Sequence, residues 1–425
     1  MDGPAAARRW GSAVSVGGWG FLILVTFVIG AVSHPGYPDG DWLPPFHATQ
    51  RALTPGVAPA LVAGVAGAFL LPRYTARIAW RTVLATSYIL AATWAVLLAA
   101  SDGWQELSAQ ISTSHDYLAA VPGVADDPLG WLSRFTESVP TLPTHPSAHP
   151  PLPVLIVWAM ETVGLGGSGF AAALCIGAGA SSVVAVLVTA RVLGGESLAR
   201  KAAPFLVLAP FALTVATSFD ALFAGVAAWA VAALAVALER RSTLLGLLAG
   251  VLFAAVLFLN YGLVVMGALA VGVAALRWVR RVAVGALAGG LLVLAMFTVA
   301  GFWWFDGVIA THERWSTSSG GNRPYGYTVF GNLAVFAVMV GPAAAAALAW
   351  IRDRALVVLG GAALAAVLSL DLAGITRGEV ERIWLPLAPW AVVVTAALPS
   401  RWVRPALIGQ VLTAVIVQLM LRLSW

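Results

Sequence analysis

The chain has 425 residues, of which 60% are hydrophobic and only 10% are charged, and its mean hydropathy is +0.88. A soluble domain carries about 25% charged residues, so this composition excludes a soluble globular fold. At about 20 apolar residues per membrane span, the length allows roughly a dozen spans in one domain over residues 1–425. The apolar runs are long and continuous, which excludes the short alternating strands of a membrane β-barrel. The sequence predicts an all-α polytopic membrane protein.

Several classes of chemistry have no support in the sequence. The single cysteine, Cys175, excludes a disulfide framework and a cysteine-based metal site. Nucleotide hydrolysis and zinc protease chemistry lack their motifs, because no GxxxxGK[ST], no GxGxxG after a strand and no HExxH is found. The arginine clusters are explained by membrane topology, so we expect no nucleic-acid partner.

Charge sorts the connections between apolar runs into two sets. The apolar runs lie at 18–33, 56–72, 82–100, 153–165, 169–190, 202–217, 220–238, 243–259, 261–276, 282–303, 328–349, 355–370, 383–398 and 405–421. Short connections hold 17 of the 24 Lys and Arg residues, which predicts a cytoplasmic side and a cytoplasmic N-terminus. The remaining connections hold all six histidines and most acidic residues, so they are predicted to lie outside. We expect a multi-pass protein of the cell membrane whose first span is not cleaved.

The segment 153–165 decides the number of spans. The acidic loop 101–152 must lie outside and the basic loop 191–201 inside, yet two apolar runs separate them. The first run has about 13 apolar residues, too few for a 30 Å hydrocarbon core, and it carries Glu161. We interpret it as a helix in the outer interface, which gives about thirteen spans. The alternative is a short tilted span that leaves 191–201 outside.

Three outer loops are too long and polar to be simple connectors: 101–152 (with the interfacial helix, 101–168), 304–327 and 371–382. The first begins with Asp102 at the end of a span, where partial burial raises a carboxyl pKa toward that of a general base. It ends in His149-Pro150-Pro151-Leu152, and the prolines predict that His149 lies on a stiff turn at the membrane surface. The alternative interpretations are a helix end and a helix start.

These features resemble the GT-C superfamily of membrane glycosyltransferases, such as protein O-mannosyltransferases and aminoarabinose transferases. The resemblance covers roughly residues 82–240 and rests on Asp102 and on the HPPL motif at 149–152. It implies a catalytic Asp102 and a GT-C-like fold. The chain departs from the family at Gly103, where an acidic residue is common, and two spans precede the aligned one. The acidic pair in Asp39-Gly40-Asp41 is therefore a rival for the catalytic base.

The segment 371–386 places four charges within six residues at an outer boundary. Arg377 and Arg382 suit a donor phosphate, which guanidinium groups bind with a planar fork. The alternative is a network of Arg377, Glu379, Glu381 and Arg382 that only holds the last spans together. This stretch, together with Arg323, Tyr325 and Asn332, resembles actinomycete membrane proteins of the same superfamily, some of which build envelope glycans.

The resemblance and the one-sided polar loops predict an inverting glycosyltransferase with an extracytoplasmic active site. It would move mannose, or a pentose such as arabinose or methylthioxylose, from a polyprenyl-phosphate donor to an envelope glycan or lipoglycan acceptor. Asp102 is the expected base, and the expected substrate-binding residues are His115, Asp116, His149, Arg323, Tyr325, Glu379 and Glu381. No soluble cofactor is expected, although a divalent metal bound at Asp102 is left as an alternative.

The alternatives to a glycosyltransferase are a transporter or flippase of a lipid-linked saccharide and a noncatalytic assembly partner. Ser218, Asp220 and Asn260 are weaker candidates, because short polar residues often cap helices.

Overall fold

The computed structural model describes residues 4–34, 43–318 and 320–423, and 79% of it is helical. The rival acidic residues Asp39 and Asp41 lie outside these described residues. Extended pairing in the described part is confined to two three-residue strands, β1 (Ala48–Gln50) and β2 (Leu421–Leu423), which are antiparallel. The predicted all-α class is confirmed.

The helices follow one another with short connections. The first half contains α1 (Pro4–Ser33), α2 (Ala58–Arg77), α3 (Trp80–Ala99), α4 (Glu106–Ala109), α5 (Pro128–Ser133), α6 (Phe135–Ser138), α7 (Thr144–Ala148), α8 (Leu152–Thr162), α9 (Ser168–Gly194) and α10 (Glu196–Val207). The second half contains α11 (Asp220–Arg240), α12 (Thr243–Leu259), α13 (Gly267–Leu276), α14 (Arg280–Val299), α15 (Trp304–Ser316), α16 (Tyr325–Val340), α17 (Pro342–Ala347), α18 (Arg354–Ala373), α19 (Val380–Ile383), α20 (Ala388–Val392) and α21 (Ser400–Met420). Short 3-10 helices lie at Pro55–Val57, Ala100–Asp102, Tyr117–Gly123, Val139–Thr141, Pro210–Thr214, Tyr261–Met266, Leu348–Trp350 and Val393–Ala397.

Eight of the described helices are long and apolar enough to cross a membrane, or nine if the bent pair α16 and α17 forms one span. Four shorter apolar stretches lie below that length: Leu152–Thr162, Thr243–Leu259, Tyr261–Leu276 and Ala388–Ala397. The chain therefore has the helical character of a membrane protein, while the count of thirteen stays a prediction. Helix α8 has 11 residues and is about 16 Å long, as short as the predicted interfacial helix.

Three predicted spans are interrupted, and the cause is proline or glycine. The run 202–217 ends as a helix at Val207 and continues as the 3-10 helix Pro210–Thr214, while 383–398 breaks into α19, α20 and a 3-10 helix. The run 328–349 bends by 87° at Gly341, which has φ +83° and precedes Pro342. Hydropathy predicted continuous helices there, and that expectation was wrong, because proline lacks the N–H that an α-helix needs.

Small residues let neighbouring helices approach closely. A Cβ atom on Gly250 would lie 1.8 Å from the carbonyl oxygen of Ala286, and one on Gly289 would lie 2.1 Å from that of Leu247, so α12 and α14 are in backbone contact. In membranes, where helix association depends on such packing, these contacts stabilise the bundle. Helix α11 is the most buried of the eight candidate spans, with 78% of its apolar window inside the protein.

The loops that are predicted to lie outside gather at one end of the bundle. The N–H of Arg51, beside β1, donates to the carbonyl oxygen of Met420 at the end of α21 (3.0 Å). The hydroxyl of Thr311 on α15 donates to the carbonyl oxygen of Ser147 (3.2 Å), which joins 304–327 to the loop 101–152. The beginning of α21 and the end of α2 lie at the opposite end of the bundle. The two helices run side by side, since Gly64 and Val411 near their middles are in contact.

Candidate functional site

The loop 101–152 is folded into short helices, and two of them begin at aspartate caps. The carboxylate of Asp116 accepts the N–H of Tyr117 (2.6 Å) where the 3-10 helix Tyr117–Gly123 begins, and Asp127 accepts the N–H of Gly130 (2.8 Å) at the start of α5. Tyr117 and Phe135 are buried beneath the loop. Asp116, a predicted substrate-binding residue, therefore has a fixed position and is itself buried.

His149 has the predicted backbone but not the predicted exposure. Because Pro150 follows it, the residue is extended, with φ −130° and ψ 160°. Its ring is buried, stacks on Tyr117 with centroids 5.9 Å apart and hydrogen-bonds the Tyr117 hydroxyl, and its Nε2 lies 3.5 Å from Nδ2 of Asn260. Burial lowers the pKa of His149 to about 3, so the ring is neutral at neutral pH. It holds the loop against the end of α12, and the prediction that it faces the membrane surface is wrong.

Arg382, predicted to bind the donor phosphate, lies at the centre of a buried ion-pair cluster. Its Nη1 is 3.0 Å from Oδ2 of Asp220, and its Nη2 is 2.6 Å from Oε2 of Glu379. The same Nη2 lies 3.4 Å from Nε2 of His145. Only 8% of the Arg382 side chain and 2% of the Asp220 side chain are exposed. The positive charge of the guanidinium is therefore balanced by two carboxylates and has little contact with water.

Asp220 begins the most buried span, and Ser218 orients it. The Ser218 hydroxyl donates to Oδ2 of Asp220 (2.7 Å) and accepts the N–H of Asp220 (3.0 Å). Ser218 therefore acts partly as the helix cap that the sequence allowed. Asp220 is more than a residue at the start of a helix, because its carboxylate also pairs with Arg382.

His145 connects this cluster to the loop 101–152. Its Nδ1 lies 3.5 Å from Oδ2 of Asp116, and its Nε2 faces Arg382. His145 lies on α7 and is buried. Its backbone N–H donates to the carbonyl oxygen of His115 (2.9 Å). Among the described residues, the exposed ring of His115 has a hydrogen bond only with the Thr144 hydroxyl (3.4 Å), and the residue holds His145 through its backbone carbonyl.

Arg323 connects the cluster around Arg382 to two further segments, one that holds His47 and one that holds Arg377. Its Nη1 donates to the carbonyl oxygen of Arg377 (2.8 Å) and lies 3.6 Å from Oε1 of Glu379. Its Nη2 lies 3.1 Å from Nδ1 of His47. Burial lowers the pKa of His47 to about 4. Burial alone would raise the pKa of Glu379, but Arg382, His47 and Arg323 hold it at about 2. We call the connected set the Arg382 network: His47, Asp116, His145, Ser218, Asp220, Arg323, Glu379 and Arg382.

Arg377, the other predicted phosphate ligand, has a different environment. Its Nη1 donates to the carbonyl oxygens of Gly321 (2.7 Å) and Arg323 (3.1 Å), and its Nε donates to that of Gly374 (3.1 Å). Within the described residues, no carboxylate lies at ion-pair distance from it. The guanidinium lies 5.4 Å from the ring centroid of Trp315 and 5.8 Å from that of Tyr325. Arg377 is a half-buried cation with neutral acceptors only.

Asn332 fixes the segment that carries these arginines. Its side-chain amide donates to Oδ1 of Asp371 and to the carbonyl oxygen of Thr376, both at 2.9 Å, and its carbonyl oxygen accepts the N–H of Gly378 (3.1 Å). Because Glu379 has a left-handed backbone, with φ +60°, the chain turns there and brings Glu379 beside Arg382.

Glu381 is buried among charged groups but pairs with none. Its side chain is 1% exposed, and neither carboxylate oxygen has a hydrogen-bond partner in the described structure. Burial raises the pKa of Glu381 to about 7.

Asp102 belongs to a second cluster. Its carboxylate, 32% exposed, pairs with Arg51, which also donates to the Ser101 hydroxyl (2.9 Å) and to the carbonyl oxygen of Gln418 (2.5 Å). Arg51, Asp102 and Gln418 line a crevice of about 50 Å³, which we call the Asp102 crevice. Within the described residues, no hydrogen bond or ion pair of Asp102 reaches the Arg382 network, although Thr217 of the crevice lining precedes Ser218 of the network.

Sequence reasoning missed four residues of these clusters. His47, Arg51 and His145 were not selected, and Asp220 was considered only as a weak candidate. The available signal was the placement of Asp220 at the start of an apolar run. Nothing in the sequence pairs it with Arg382, which lies 162 positions later.

Asp102, Asp220 and Glu379 pair with arginines, and Asp116 lies beside His145. Within residues 4–34, 43–318 and 320–423, no group of three or more His, Cys, Asp or Glu side chains could hold a metal ion. Comparison of the chain with family models, with curated proteins and with solved structures returned no match in any of the three.

Proposed function

We propose that the chain is a GT-C-like membrane glycosyltransferase with about thirteen spans. It takes a sugar, mannose or a pentose, from a polyprenyl-phosphate donor on the outer face of the cell membrane and transfers it to an envelope glycan or lipoglycan. The observation that carries the proposal is Arg377, a cation without a carboxylate partner in the described structure, which contacts the Arg382 network and lies close to exposed apolar side chains.

The phosphate of the donor binds at Arg377. A phosphate placed at Arg382 would meet the carboxylates of Asp220 and Glu379, and like charges in a buried site repel strongly. At Arg377 the phosphate meets only neutral carbonyl groups and a guanidinium, a geometry that favours a charge-assisted bond. Leu372 and Ile375, which are 66% and 44% exposed, lie in the same segment and suit a lipid chain.

The acceptor hydroxyl is activated by Asp116 in this proposal. Attack on the anomeric carbon opposite the leaving phosphate needs a base for the hydroxyl proton, and it inverts the anomeric centre. Asp116 lies on the long outer loop and is connected through His145 to Arg382, whereas Asp102 pairs with Arg51 outside the network. Arg382 then acts as a positioning residue that holds Asp220, Glu379 and His145.

The proposal is tested by transfer from polyprenyl-phosphate sugars to envelope glycan acceptors, with wild type and Arg377→Gln in the same membranes. We expect kcat/KM to fall on the order of a hundredfold in the variant, as for loss of one charge-stabilising group. Arg314→Gln is the matched control, because Arg314 is an exposed arginine on α15 at the same end, with no ion pair in the described part of the chain. Equal loss in both variants, or none in either, would contradict the role of Arg377.

A flippase of lipid-linked saccharides is the second candidate, and the bent pair α16 and α17 favours it. Interrupted helices occur at the binding sites of many transporters, and the 87° bend at Gly341 is such an interruption. A flippase moves the lipid-linked sugar between leaflets of vesicles without an acceptor. Transfer without such movement supports the glycosyltransferase, and movement without transfer supports the flippase.

A further inference from the structure

A basic cavity lies between α2 and α21, at the end of these helices that is far from the Arg382 network. Its volume is about 490 Å³, within the range of small-molecule sites. The cavity is lined by three arginines, Arg73, Arg401 and Arg404, and by Pro72, Pro405 and Ile408. The arginines suit an anionic ligand. The cavity residues Ser400 to Ile408 lie about 18–30 Å along α21 from Met420, which contacts Arg51 at the other end of the helix.

The three arginines have no compensating charge. Arg73, Arg401 and Arg404 are exposed, and within the described residues no carboxylate lies at ion-pair distance from any of them. The guanidinium of Arg404 lies 5.7 Å from the ring centroid of Phe69. By contrast, Arg200 on α10 pairs with Glu196 of the same helix at 2.6 Å. Three like charges around one cavity repel one another, and an anion bound between them relieves that repulsion.

The surface beside the cavity is apolar and exposed. On α2, Phe69 and Leu70 are 45% and 58% exposed, and on α21, Leu412 is 43% exposed. A phosphate held by the arginines would therefore have its attached chains beside apolar side chains. Guanidinium groups bind phosphate with planar paired hydrogen bonds, and basic pockets between membrane helices suit anionic lipid head groups.

We infer that the Arg73, Arg401 and Arg404 cavity binds the phosphate head group of an anionic membrane lipid, with its acyl chains along α2 and α21. This site is separate from the donor site at Arg377 and does not depend on the proposed transferase activity. It lies at the end of the bundle with the basic connections, so the lipid comes from the leaflet opposite the outer loops.

The experiment uses the full chain, purified in neutral detergent, with phosphatidylglycerol, phosphatidylcholine and inorganic phosphate as separate probes. Binding is measured by native mass spectrometry and by the shift of the melting temperature. We expect phosphatidylglycerol to bind and phosphatidylcholine to bind at least tenfold more weakly. The triple variant Arg73→Gln/Arg401→Gln/Arg404→Gln should lose this preference.

The matched control is Arg277→Gln/Arg280→Gln/Arg281→Gln, which removes three exposed arginines from the connection between α13 and α14. It should keep the preference for phosphatidylglycerol. Equal loss in both triple variants would show unspecific attraction and overturn the site. Equal affinity for inorganic phosphate would overturn the lipid as its occupant.

A third variant, Arg73→Lys/Arg401→Lys/Arg404→Lys, keeps the charges and removes the planar forks. Partial loss of the preference supports guanidinium recognition of the head group. If the glutamine triple variant does not fold, the lysine triple variant is used to test the site. An unchanged affinity of the lysine variant for phosphatidylglycerol would contradict the proposal.

Discussion

The Arg382 network and the Asp102 crevice lie at the same end of the bundle, yet their central carboxylates differ in exposure. Asp220 in the network has 2% of its side chain exposed, whereas 32% of the Asp102 side chain is exposed, and the arginines paired with them, Arg382 and Arg51, are 8% and 6% exposed. A buried ion pair is costly to break because the remaining charge loses its partner without gaining water. A partly exposed pair contributes little because water replaces the partner. The network should therefore dominate both stability and response to pH.

The largest effect is expected for Arg382→Met. The substitution leaves Asp220 buried without its cation, while Glu379, which is 24% exposed, keeps Arg323 at 3.6 Å. We expect the free energy of unfolding to fall by about 3–5 kcal/mol. The measurement is denaturant unfolding of the chain in detergent. The variant Arg382→Lys, which keeps the charge, should lose less. An Arg382→Met variant as stable as wild type would show that the network is not coupled to folding.

A smaller effect, and a specific dependence on pH, is expected for Glu381→Gln. The carboxyl has a pKa of about 7 in the folded chain, because burial raises it from its ordinary value of 4.5. The folded state therefore binds one proton more than the unfolded state between these pH values, and the free energy of unfolding falls as pH rises from 4.5 through 7. The contribution is roughly 3 kcal/mol.

The test of Glu381 is the difference between the unfolding curves of wild type and Glu381→Gln from pH 4.5 to 8. His47 and His149, whose pKa values are about 4 and about 3, act in the opposite direction below pH 6.5, but they are present in both proteins. The glutamine variant should gain relative stability as pH rises. A difference that does not change with pH would place Glu381 in contact with water.

The smallest effect is expected for Arg51→Met in the Asp102 crevice. Only Asp102 loses an ionic partner, and it is partly solvated, so the expected loss is about 1 kcal/mol. The same unfolding measurement applies. A loss as large as that of Arg382→Met would remove the distinction between the two clusters.

The sequence predicted the all-α class, and it singled out the segment 371–382 by its density of charges. Those features follow from local hydropathy and from the sign of the charges. It did not predict the bend at Gly341 or the break near Pro210, because hydropathy averages do not respond to single prolines and glycines.

The composition of the site was harder to predict than its approximate location. Arg382 and Glu379 are three positions apart, so their pairing within one helical turn was accessible from the sequence. The contacts of Arg382 with Asp220 and His145 join residues more than 160 positions apart, and only the packing of α7, α11 and α19 brings them together. The exposure of His149 was predicted wrongly for the same reason, since the proline pattern fixes its backbone but not what covers its ring.

The most direct test of the proposed site compares Asp116→Asn with Asp102→Asn in sugar transfer at saturating donor. Asparagine keeps the volume and the oxygen that caps Tyr117, so Asp116→Asn should fold, which its melting temperature checks. We expect kcat to fall on the order of a hundredfold or more for Asp116→Asn, and less than about threefold for Asp102→Asn, because Asp102 pairs with Arg51 outside the network. The reverse order, with Asp102→Asn inactive and Asp116→Asn active, would contradict the assignment of the active site to the Arg382 network.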